Sequence, residues 1–202
     1  MSQTDRDKWN QRYRDGAYVA RKHPSALLQE WLPRLTPVGR TPRALDIASG
    51  SGRNSLYLAH QGWRVCAVDI SEVALGQLRA TADEEKLDIK CVEQDLEVAD
   101  PRLETVAGQG PFDLVIMIRY SNLPLIPRLG DMLAPGGYLM VESHLVTDAD
   151  VVGPSDQRFR VAPGQLRSAA TGLEIVASHE GIVEDPDRRR AALAQLIARK
   201  PM

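Results

Sequence analysis

Short apolar runs alternate with amphipathic segments along the chain, and this alternation predicts its secondary structure. Residues 112–118 are almost wholly apolar, which is typical of a strand that helices cover on both faces. Residues 173–179 instead alternate apolar with polar side chains, as an edge or antiparallel strand does. The predicted strands are residues 43–48, 63–69, 89–93, 112–118, 138–143, 173–179 and 189–199, and the predicted helices are residues 7–15, 25–35, 54–61, 72–84, 123–133 and 163–170.

Cap and turn residues define the limits of several of these elements. Ser71 is a good N-cap for the fourth helix, whose first turn carries an acidic residue. Residues 134–137 (APGG) predict a turn before the fifth strand. The pattern of residues 189–199 fits a strand or a helix, and we predict a strand because a hairpin through residues 180–188 is the simplest way to end a sheet. Two segments show no regular pattern: residues 98–111, which have room for one helical turn, and residues 145–161.

The repeated order of strand, helix and strand predicts an α/β fold with a doubly wound, mostly parallel sheet and crossovers on both faces. We expect a single domain over residues 1–202, with two helices in residues 1–40 ahead of the sheet core in residues 41–202. In such a sheet a ligand binds beyond the carboxyl ends of the strands. Candidate functional residues are therefore those that directly follow each strand.

Composition narrows the class of protein. Hydrophobic residues make up 43% and charged residues 26% of the 202 residues, which is the profile of a soluble globular protein. The formal net charge is −2, so no global basic field attracts the chain to nucleic acid, and we expect no nucleic-acid partner. No apolar run approaches the roughly 18 residues of a membrane span, and residues 1–7 lack a secretory signal. Cys66 and Cys91 lie in apolar runs and are predicted to be reduced, with no metal site, as in a cytoplasmic protein.

A glycine turn follows the first predicted strand. Residues 44–54 (ALDIASGSGRN) give a buried strand, the turn, and the start of a helix. Gly50 and Gly52 allow the backbone to turn tightly and to approach a ligand without a Cβ in the way. The N-terminus of the following helix leaves unpaired N–H groups beside that ligand. This arrangement predicts a nucleotide-type cofactor at the turn.

Two acidic residues distinguish between the possible cofactors. A dinucleotide site uses G-x-G-x-x-G, but Ser55 stands at the third glycine position, which weakens that assignment without excluding it. Asp69 ends the second strand, where an acid can accept both hydroxyls of a ribose. Asp46, four positions before Gly50, would repel a pyrophosphate but suits a ligand with an ammonium group and a sulfonium. S-adenosylmethionine is such a ligand.

These motifs resemble those of a known family. Residues 44–54, with residues 67–71 (AVDIS), resemble the first and second motifs of the class I S-adenosylmethionine-dependent methyltransferases. Residues 94–96 (QDL) are similar to the third motif, and residues 133–139 (LAPGGYL) resemble the turn before the fifth strand. Within the class, residues 9–13 (WNQRY) and 23–25 (HPS) resemble the N-terminal lid of the tellurite-resistance-type and thiopurine-type enzymes.

The chain also departs from the family pattern. Ser49 stands where cysteine or glycine is commoner, and residues 119–122 (RYSN) replace the N-P-P-Y signature of nucleic-acid methyltransferases. The resemblance implies a Rossmann-like seven-stranded sheet with a C-terminal antiparallel hairpin and an N-terminal helical lid. It also implies a cofactor site made of Trp9, Arg12, Tyr13, Asp46, Ala48, Gly50, Gly52, Asn54, Asp69, Ile70, Ser71, Asp95, Leu96 and Arg119.

Within that site the resemblance implies particular roles. Asp46 would hold the methionine ammonium, Asp69 the ribose diol and Asp95 the adenine amino group. Ile70 and Leu96 would enclose the adenine ring. The lid side chains, Trp9, Arg12 and Tyr13, would close over the cofactor and exclude water.

The acceptor side is less defined by the sequence. Arg119 and Tyr120 follow the fourth strand and are candidates to orient an anionic or polar acceptor. His144, just after the fifth strand, is the candidate general base, with His23 as an alternative. A soft nucleophile such as a thiolate or a metalloid oxyanion needs no base, and catalysis is then mostly positioning.

The predicted function is methyl transfer from S-adenosylmethionine to a small molecule by in-line displacement. A nicotinamide-dependent oxidoreductase on the same fold and a non-catalytic methyltransferase-like binding module are the alternatives. The sequence identifies neither the acceptor nor the oligomeric state.

Overall fold

The computed structural model describes residues 3–202 except residues 17, 20, 36–39, 99–100, 102, 104–105 and 107. The chain forms two compact units, one of Met1–Pro24 and Pro37–Gly110 and the other of Ser25–Thr36 and Pro111–Met202. In chain order the elements are α1 (Gln3–Arg14), α2 (Ala26–Leu35), β1 (Arg43–Ile47), α3 (Arg53–His60), β2 (Arg64–Asp69), α4 (Glu72–Glu85), β3 (Ile89–Glu93), β4 (Phe112–Ile118), α5 (Leu125–Asp131), β5 (Leu133–His144), a 3-10 turn (Gln157–Phe159), α6 (Gln165–Ala169), β6 (Glu174–Glu184) and β7 (Arg190–Arg199).

The first unit holds three parallel strands with α1, α3 and α4. β1 pairs with β2, and β2 pairs with β3, both in parallel. Parallel neighbours need a crossover connection, which α3 and α4 supply, as the sequence predicted. Ser71 accepts a hydrogen bond from the backbone N–H of Ala74 at 3.2 Å, so its predicted role as the N-cap of α4 is confirmed.

The second unit combines parallel and antiparallel pairing. β4 pairs in parallel with β5, while β7 lies antiparallel between β5 and β6. The choice of a strand for residues 189–199 is therefore confirmed. β7 is almost wholly buried, whereas β6 is exposed along most of its length, as the alternating pattern of an edge strand predicted. α2 buries four leucines in this unit and contacts β5.

The strands described form one seven-stranded sheet in the order β3-β2-β1-β4-β5-β7-β6. It is mostly parallel and ends in a C-terminal antiparallel hairpin, with helices flanking it. The predicted Rossmann-like fold class is therefore confirmed. The two N-terminal helices are divided between the units, α1 in the first and α2 in the second.

The region around α5 corrects two predictions. The helix predicted for residues 123–133 is confined to Leu125–Asp131, because Pro124 is its N-cap and Leu133 already pairs with Phe112 in the sheet. β5 therefore begins at Leu133, and the predicted turn lies inside it as an irregularity of register. Gly136, with φ +74°, makes this irregularity possible.

Three other boundaries differ from the prediction. β6 continues to Glu184, so the connection to β7 is the short turn after Asp185 and not the whole of residues 180–188. α1 begins at Gln3, ahead of the predicted residue 7, and Asp5 in its first turn interacts favourably with the helix dipole. β1 ends at Ile47, because the next residue has a left-handed backbone. The prediction for residues 98–111 lies largely outside the described residues.

Within the described part of the chain, no helix is long and apolar enough to cross a membrane. Cys66 and Cys91 are free thiols, and burial raises the pKa of both. Across the same described ranges, no group of three or more His, Cys, Asp or Glu side chains is arranged to hold a metal ion.

Candidate functional site

The turn after β1 requires glycine at two positions. The backbone is left-handed at Ala48 (φ +55°), Gly50 (φ +57°) and Gly52 (φ +86°), at every second residue of the turn. A Cβ on Gly50 would collide with the hydroxyl of Tyr13, and a Cβ on Gly52 would collide with the side chain of Leu78. The N–H groups of Ser49, Gly50 and Gly52 are bound by the Val68 carbonyl, the Asp69 carboxylate and the Ser49 carbonyl. The two glycines therefore allow a tightly closed turn against which Tyr13 and Leu78 pack.

Asp69 holds the glycine turn to the end of β2. Its Oδ2 accepts a hydrogen bond from the backbone N–H of Gly50 at 2.8 Å, and its Oδ1 accepts one from the N–H of Ser71 at 2.8 Å. Burial raises the pKa of Asp69, and these hydrogen bonds oppose that effect. Since each carboxylate oxygen has a second lone pair, Asp69 can accept two more hydrogen bonds. A vicinal diol supplies such a pair of donors.

Asp46 is buried on β1 with a single neutral side-chain partner. It is 1% exposed, and its Oδ2 accepts a hydrogen bond from the hydroxyl of Ser55 at 2.7 Å. Burial raises the pKa of Asp46 to about 7, against the effects of Ser55 and of the Arg53 guanidinium. A ligand with a positive charge beside Asp46 would favour its ionised form. The local chemistry therefore suits a cation.

Helix α1 brings an aromatic cluster to the same turn. Tyr13 is buried, and its pKa is raised by that burial first and by the charge of Asp69 second. The ring of Tyr13 lies 6.4 Å from that of Trp9 and 5.9 Å from that of Tyr18. Arg12 is exposed, with its guanidinium carbon 5.1 Å from the centre of the Trp9 ring. The predicted lid side chains thus lie together, and their contact with a cofactor stays a prediction.

The predicted adenine-binding residues follow β2 and β3. Leu96 and Ile70 are buried, as walls of an apolar pocket would be. Asp95 is half-buried, and its Oδ1 accepts a hydrogen bond from the N–H of Glu97 at 2.9 Å. Asn54 is buried in the first turn of α3. The structure gives these residues suitable burial, and their cofactor contacts stay predictions.

In the second unit, Arg119 forms two ion pairs directly after β4. Its Nε lies 2.5 Å from Glu142 Oε1, and its Nη2 lies 2.7 Å from Asp185 Oδ1. The three side chains are each at least nine-tenths buried, and Gln195 donates a hydrogen bond to Glu142 at 2.8 Å. The backbone of Arg119 is left-handed, with φ +61°. These contacts make Arg119 a link between strands, and its predicted contact with acceptor or cofactor stays a prediction.

Tyr120 lies beside the amide of a near neighbour. The Nδ2 of Asn122 donates to the Tyr120 hydroxyl at 3.4 Å, and Ser143 Oγ donates to the Tyr120 backbone carbonyl at 3.1 Å. Tyr120 is therefore fixed by the ends of β4 and β5 while its side chain stays partly exposed. This placement is compatible with its predicted role in orienting an acceptor.

His144 ends β5 under a loop. Its backbone carbonyl accepts a hydrogen bond from Val161 at 2.8 Å, and a Cβ on Gly153 would lie 2.9 Å from His144 Nδ1. Arg160 donates to two backbone carbonyls of the same loop, which residues 145–161 form. The loop without a sequence pattern is thus folded back onto the predicted general base. The catalytic role of His144 stays a prediction.

Sequence reasoning missed several residues that organise these sites. Glu142 is a charged residue within an apolar strand, and that contrast alone could have predicted a buried ion pair. Ser55 was noted only for replacing a glycine, although it is the hydrogen-bond partner of Asp46. No local pattern singled out Asn10 or Asp185, whose partners are distant in sequence.

The residues of the first unit fit S-adenosylmethionine. Ser49 adds a buried hydroxyl that has no hydrogen-bond partner among the residues described. Buried Asp46 suits the ammonium group, and Asp69 has lone pairs available for the ribose diol. The absence of a Cβ at Gly50 and Gly52 lets Tyr13 and Leu78 pack directly against the turn.

Comparison with known proteins also indicates S-adenosylmethionine as the ligand. Residues 44–137 match the family model described as a methyltransferase domain. The chain is 26% identical over 171 residues to TehB of Haemophilus influenzae, a probable S-adenosyl-L-methionine-dependent methyltransferase, across 78% of this chain and 57% of that protein. The crystal structure of TehB superposes with a TM-score of 0.66 at 25% identity, over 85% of this chain and 62% of that one. Residues 44–137 therefore form a methyltransferase domain, and the chain is similar to the class I S-adenosylmethionine-dependent methyltransferases over most of its length.

Other similar members of this class differ in their named acceptors. The cypemycin N-terminal methyltransferase of a Streptomyces species is 28% identical over 160 residues, covering 74% of this chain and 57% of that protein. The 1,6-didemethyltoxoflavin-N1-methyltransferase of Burkholderia thailandensis, solved with S-adenosylhomocysteine, has a TM-score of 0.66 at 21% identity over 98% and 87% of the two chains. The chain spans less than two thirds of the length of TehB. The family therefore does not fix the acceptor.

Proposed function

We propose that this methyltransferase binds S-adenosylmethionine at the turn after β1 and transfers its methyl group to a small molecule. One observation supports the proposal above others. Two buried carboxylates, Asp46 and Asp69, flank a turn in which two glycines are required. One carboxylate suits a cation and the other a diol, which are the features of this cofactor and not of a pyrophosphate.

Each group of the cofactor has a candidate partner in the first unit. Asp46 would bind the ammonium and Asp69 the ribose hydroxyls, while Leu96 and Ile70 would contact the adenine. When bound, the cofactor supplies an electrophilic methyl group for in-line displacement. Ser71 and Gly50 already hold the Asp69 carboxylate through their N–H groups, so little reorganisation is needed on binding.

We propose a soft nucleophile, such as a thiol or a metalloid oxyanion, as the acceptor. Tyr120 is our candidate to orient it, because its side chain is partly exposed whereas the Arg119 guanidinium is largely taken up by two carboxylates. For a thiol acceptor, His144 would take the proton, and an acceptor that is already ionised needs no base. Positioning then supplies most of the rate enhancement, on the order of 7–11 kcal/mol at best.

Isothermal titration with S-adenosylmethionine and S-adenosylhomocysteine tests cofactor binding. We expect both to bind, and Asp69→Ala to weaken binding at least tenfold because the diol loses its acceptors. Failure of the wild-type protein to bind either compound would contradict the proposal. A panel of thiols, selenite, tellurite, halides, small carboxylates and phenols, followed by release of S-adenosylhomocysteine, then identifies the acceptor.

Two other functions use the same fold. A nicotinamide-dependent oxidoreductase would need a site for a pyrophosphate, and the buried Asp46 and Ser55 stand where that site would be. A non-catalytic binding module would have no use for an intact cofactor turn. The cytoplasmic location and the absence of a nucleic-acid partner both remain predictions. Failure of the protein to methylate bulk tRNA or rRNA would agree with the absence of a nucleic-acid partner.

A further inference from the structure

Asn10 is a buried polar residue on helix α1, most of whose side chains are polar. It is 3% exposed, while Gln11 and Arg12 beside it are exposed. Its Oδ1 accepts a hydrogen bond from the hydroxyl of Ser71 at 2.8 Å and a longer one from the N–H of Val73 at 3.4 Å. Both donors belong to the N-terminus of α4. Asn10 therefore joins α1 to the cap of another helix.

The same cap is joined to the predicted ribose-binding carboxylate. Ser71 accepts from the N–H of Ala74 through Oγ and donates to Asp69 Oδ1 through its own N–H, the latter at 2.8 Å. Asp69 Oδ2 in turn accepts from the N–H of Gly50. A continuous chain of hydrogen bonds thus runs from Asn10 through Ser71 and Asp69 to the glycine turn.

Helix α1 also contacts the glycine turn directly, through the side chain of Tyr13. Residues 10 and 13 lie on one face of the helix, and both are buried. The Tyr13 hydroxyl lies against Gly50, and Gln77 of α4 donates to the Tyr13 backbone carbonyl at 3.5 Å. The position of the Tyr13 ring therefore depends on how α1 is held against α4. Of the two contacts described, the hydrogen bond between Asn10 and Ser71 is shorter than that between Gln77 and Tyr13.

We propose that Asn10 is a positioning residue for the cofactor. It anchors α1 to the cap of α4, so that the Asp69 carboxylate and the Tyr13 hydroxyl are set against the glycine turn before the ligand arrives. The inference rests on the proposed function, since the ligand concerned is S-adenosylmethionine. Ordering these groups in advance lowers the entropy cost of binding. A lid helix that is anchored in this way contributes to affinity without contacting the ligand through Asn10.

Three substitutions distinguish a positioning role of Asn10 from a general contribution to folding. Asn10→Ala removes the acceptor and leaves the Ser71 hydroxyl without its partner, so we expect S-adenosylhomocysteine to bind at least tenfold more weakly. Asn10→Asp keeps an acceptor oxygen and adds a negative charge that the N-terminus of α4 favours, so affinity should stay within about threefold. Gln11→Ala, on the exposed face of the same helix, is the matched control and should bind as the wild type does.

A double-mutant cycle tests whether Asn10 affects cofactor binding through Tyr13. If Asn10 acts by placing Tyr13, the losses caused by Asn10→Ala and Tyr13→Phe will not add, because each removes the same contribution. Limited trypsin digestion gives a readout without ligand, since α1 carries exposed Arg12 and Arg14. We expect faster cleavage at these sites in Asn10→Ala than in wild type or Gln11→Ala.

The outcomes distinguish the inference from the proposed function. If the wild type binds no S-adenosylhomocysteine, both are overturned. If it binds, but Asn10→Ala binds equally well or is cleaved at the wild-type rate, only the role of Asn10 is overturned. Should Asn10→Ala not fold by circular dichroism, Asn10→Gln replaces it. Gln moves the same amide by one methylene, and wild-type affinity in that variant would equally overturn the role.

Discussion

Asp46 and Asp69 are both buried, but different partners stabilise their charges. Asp69 accepts two backbone N–H groups, which are fixed donors at the start of α4 and in the glycine turn. Asp46 is stabilised by Ser55 and by the charge of Arg53, but burial outweighs both and raises its pKa to about 7. Asp46 thus changes charge near neutral pH, and a bound ammonium would shift that change toward lower pH.

Replacing Asp46 should alter the pH dependence of stability. The Asp46 carboxyl has a pKa near 4 in the unfolded state and about 7 in the folded state, so it stays protonated to higher pH when the protein is folded. Its contribution to the free energy of unfolding is therefore present at low pH and is lost as the pH rises through 7, by roughly 1.4 kcal/mol per pH unit at most. Urea unfolding between pH 5 and pH 8 should show wild type losing stability relative to Asp46→Asn.

Asp46→Asn is a suitable comparison because its amide oxygen can still accept from Ser55. Burial raises the pKa of Asp69 as well, and both proteins keep that carboxyl. The difference between their stability curves therefore arises from Asp46 and from its charge interaction with Asp69. Parallel curves for the two proteins across this range would contradict the prediction. The same substitution should weaken S-adenosylmethionine binding, since it removes the charge opposite the ammonium.

Gly50→Ala should damage the turn through two independent effects. An alanine at φ +57° is strained by about 1–2 kcal/mol, and its Cβ would displace the hydroxyl of Tyr13. We expect lower urea stability and at least tenfold weaker binding of S-adenosylhomocysteine by titration. Gly76→Ala is the control, because a Cβ at Gly76 in α4 meets no atom within 4 Å and should stabilise the helix by about 1 kcal/mol. Equal behaviour of the two variants would argue against a required glycine.

At the scale of elements, periodicity predicted which segments form strands and helices but not where all of them end. β5 begins at Leu133, although the preceding pattern is helical and residues 134–137 have turn composition. Pairing with β4 decides that boundary, and such pairing cannot be read from a local window. β6 likewise runs to Glu184 because β7 offers partners along its whole length.

Arg119 should matter mainly for holding elements together. It links the end of β4 to β5 through Glu142 and to the β6–β7 turn through Asp185. Arg119→Met would leave two buried carboxylates without their cation, which typically costs about 3–5 kcal/mol. Urea unfolding measures the loss. Methionine is a fair replacement because it has a similar length and equal strain at a left-handed backbone.

Arg158→Met is the matched control for this prediction. Arg158 also forms an ion pair, with Asp156, but its side chain is 84% exposed. Because water screens an exposed pair, we expect no change in its urea midpoint. An Arg119→Met variant as stable as Arg158→Met, but with lower activity, would instead favour the predicted contact between Arg119 and a substrate.

At the scale of the whole molecule, the sequence was more informative about the cofactor than about the acceptor. The cofactor motifs are contiguous in sequence, so Asp46, Gly50 and Asp69 could be named without a structure. The surroundings of Arg119 and His144 depend on residues 142–195, which have no motif and meet only through folding. Similar proteins do not supply the missing part, because those described above are named for different acceptors.

Thermal unfolding of the whole chain discriminates between the leading function and its nicotinamide alternative. A ligand that binds only the folded state at 100 times its Kd adds about 2.7 kcal/mol of stability, which for a chain of this size raises Tm by about 5–10 °C. We expect this rise with S-adenosylhomocysteine and none with NADH at the same concentration. Asp69→Ala should lose the response to S-adenosylhomocysteine, which shows that the effect arises at the glycine turn. A rise with NADH alone would favour the oxidoreductase, because only a site that accepts a pyrophosphate beside Asp46 could produce it.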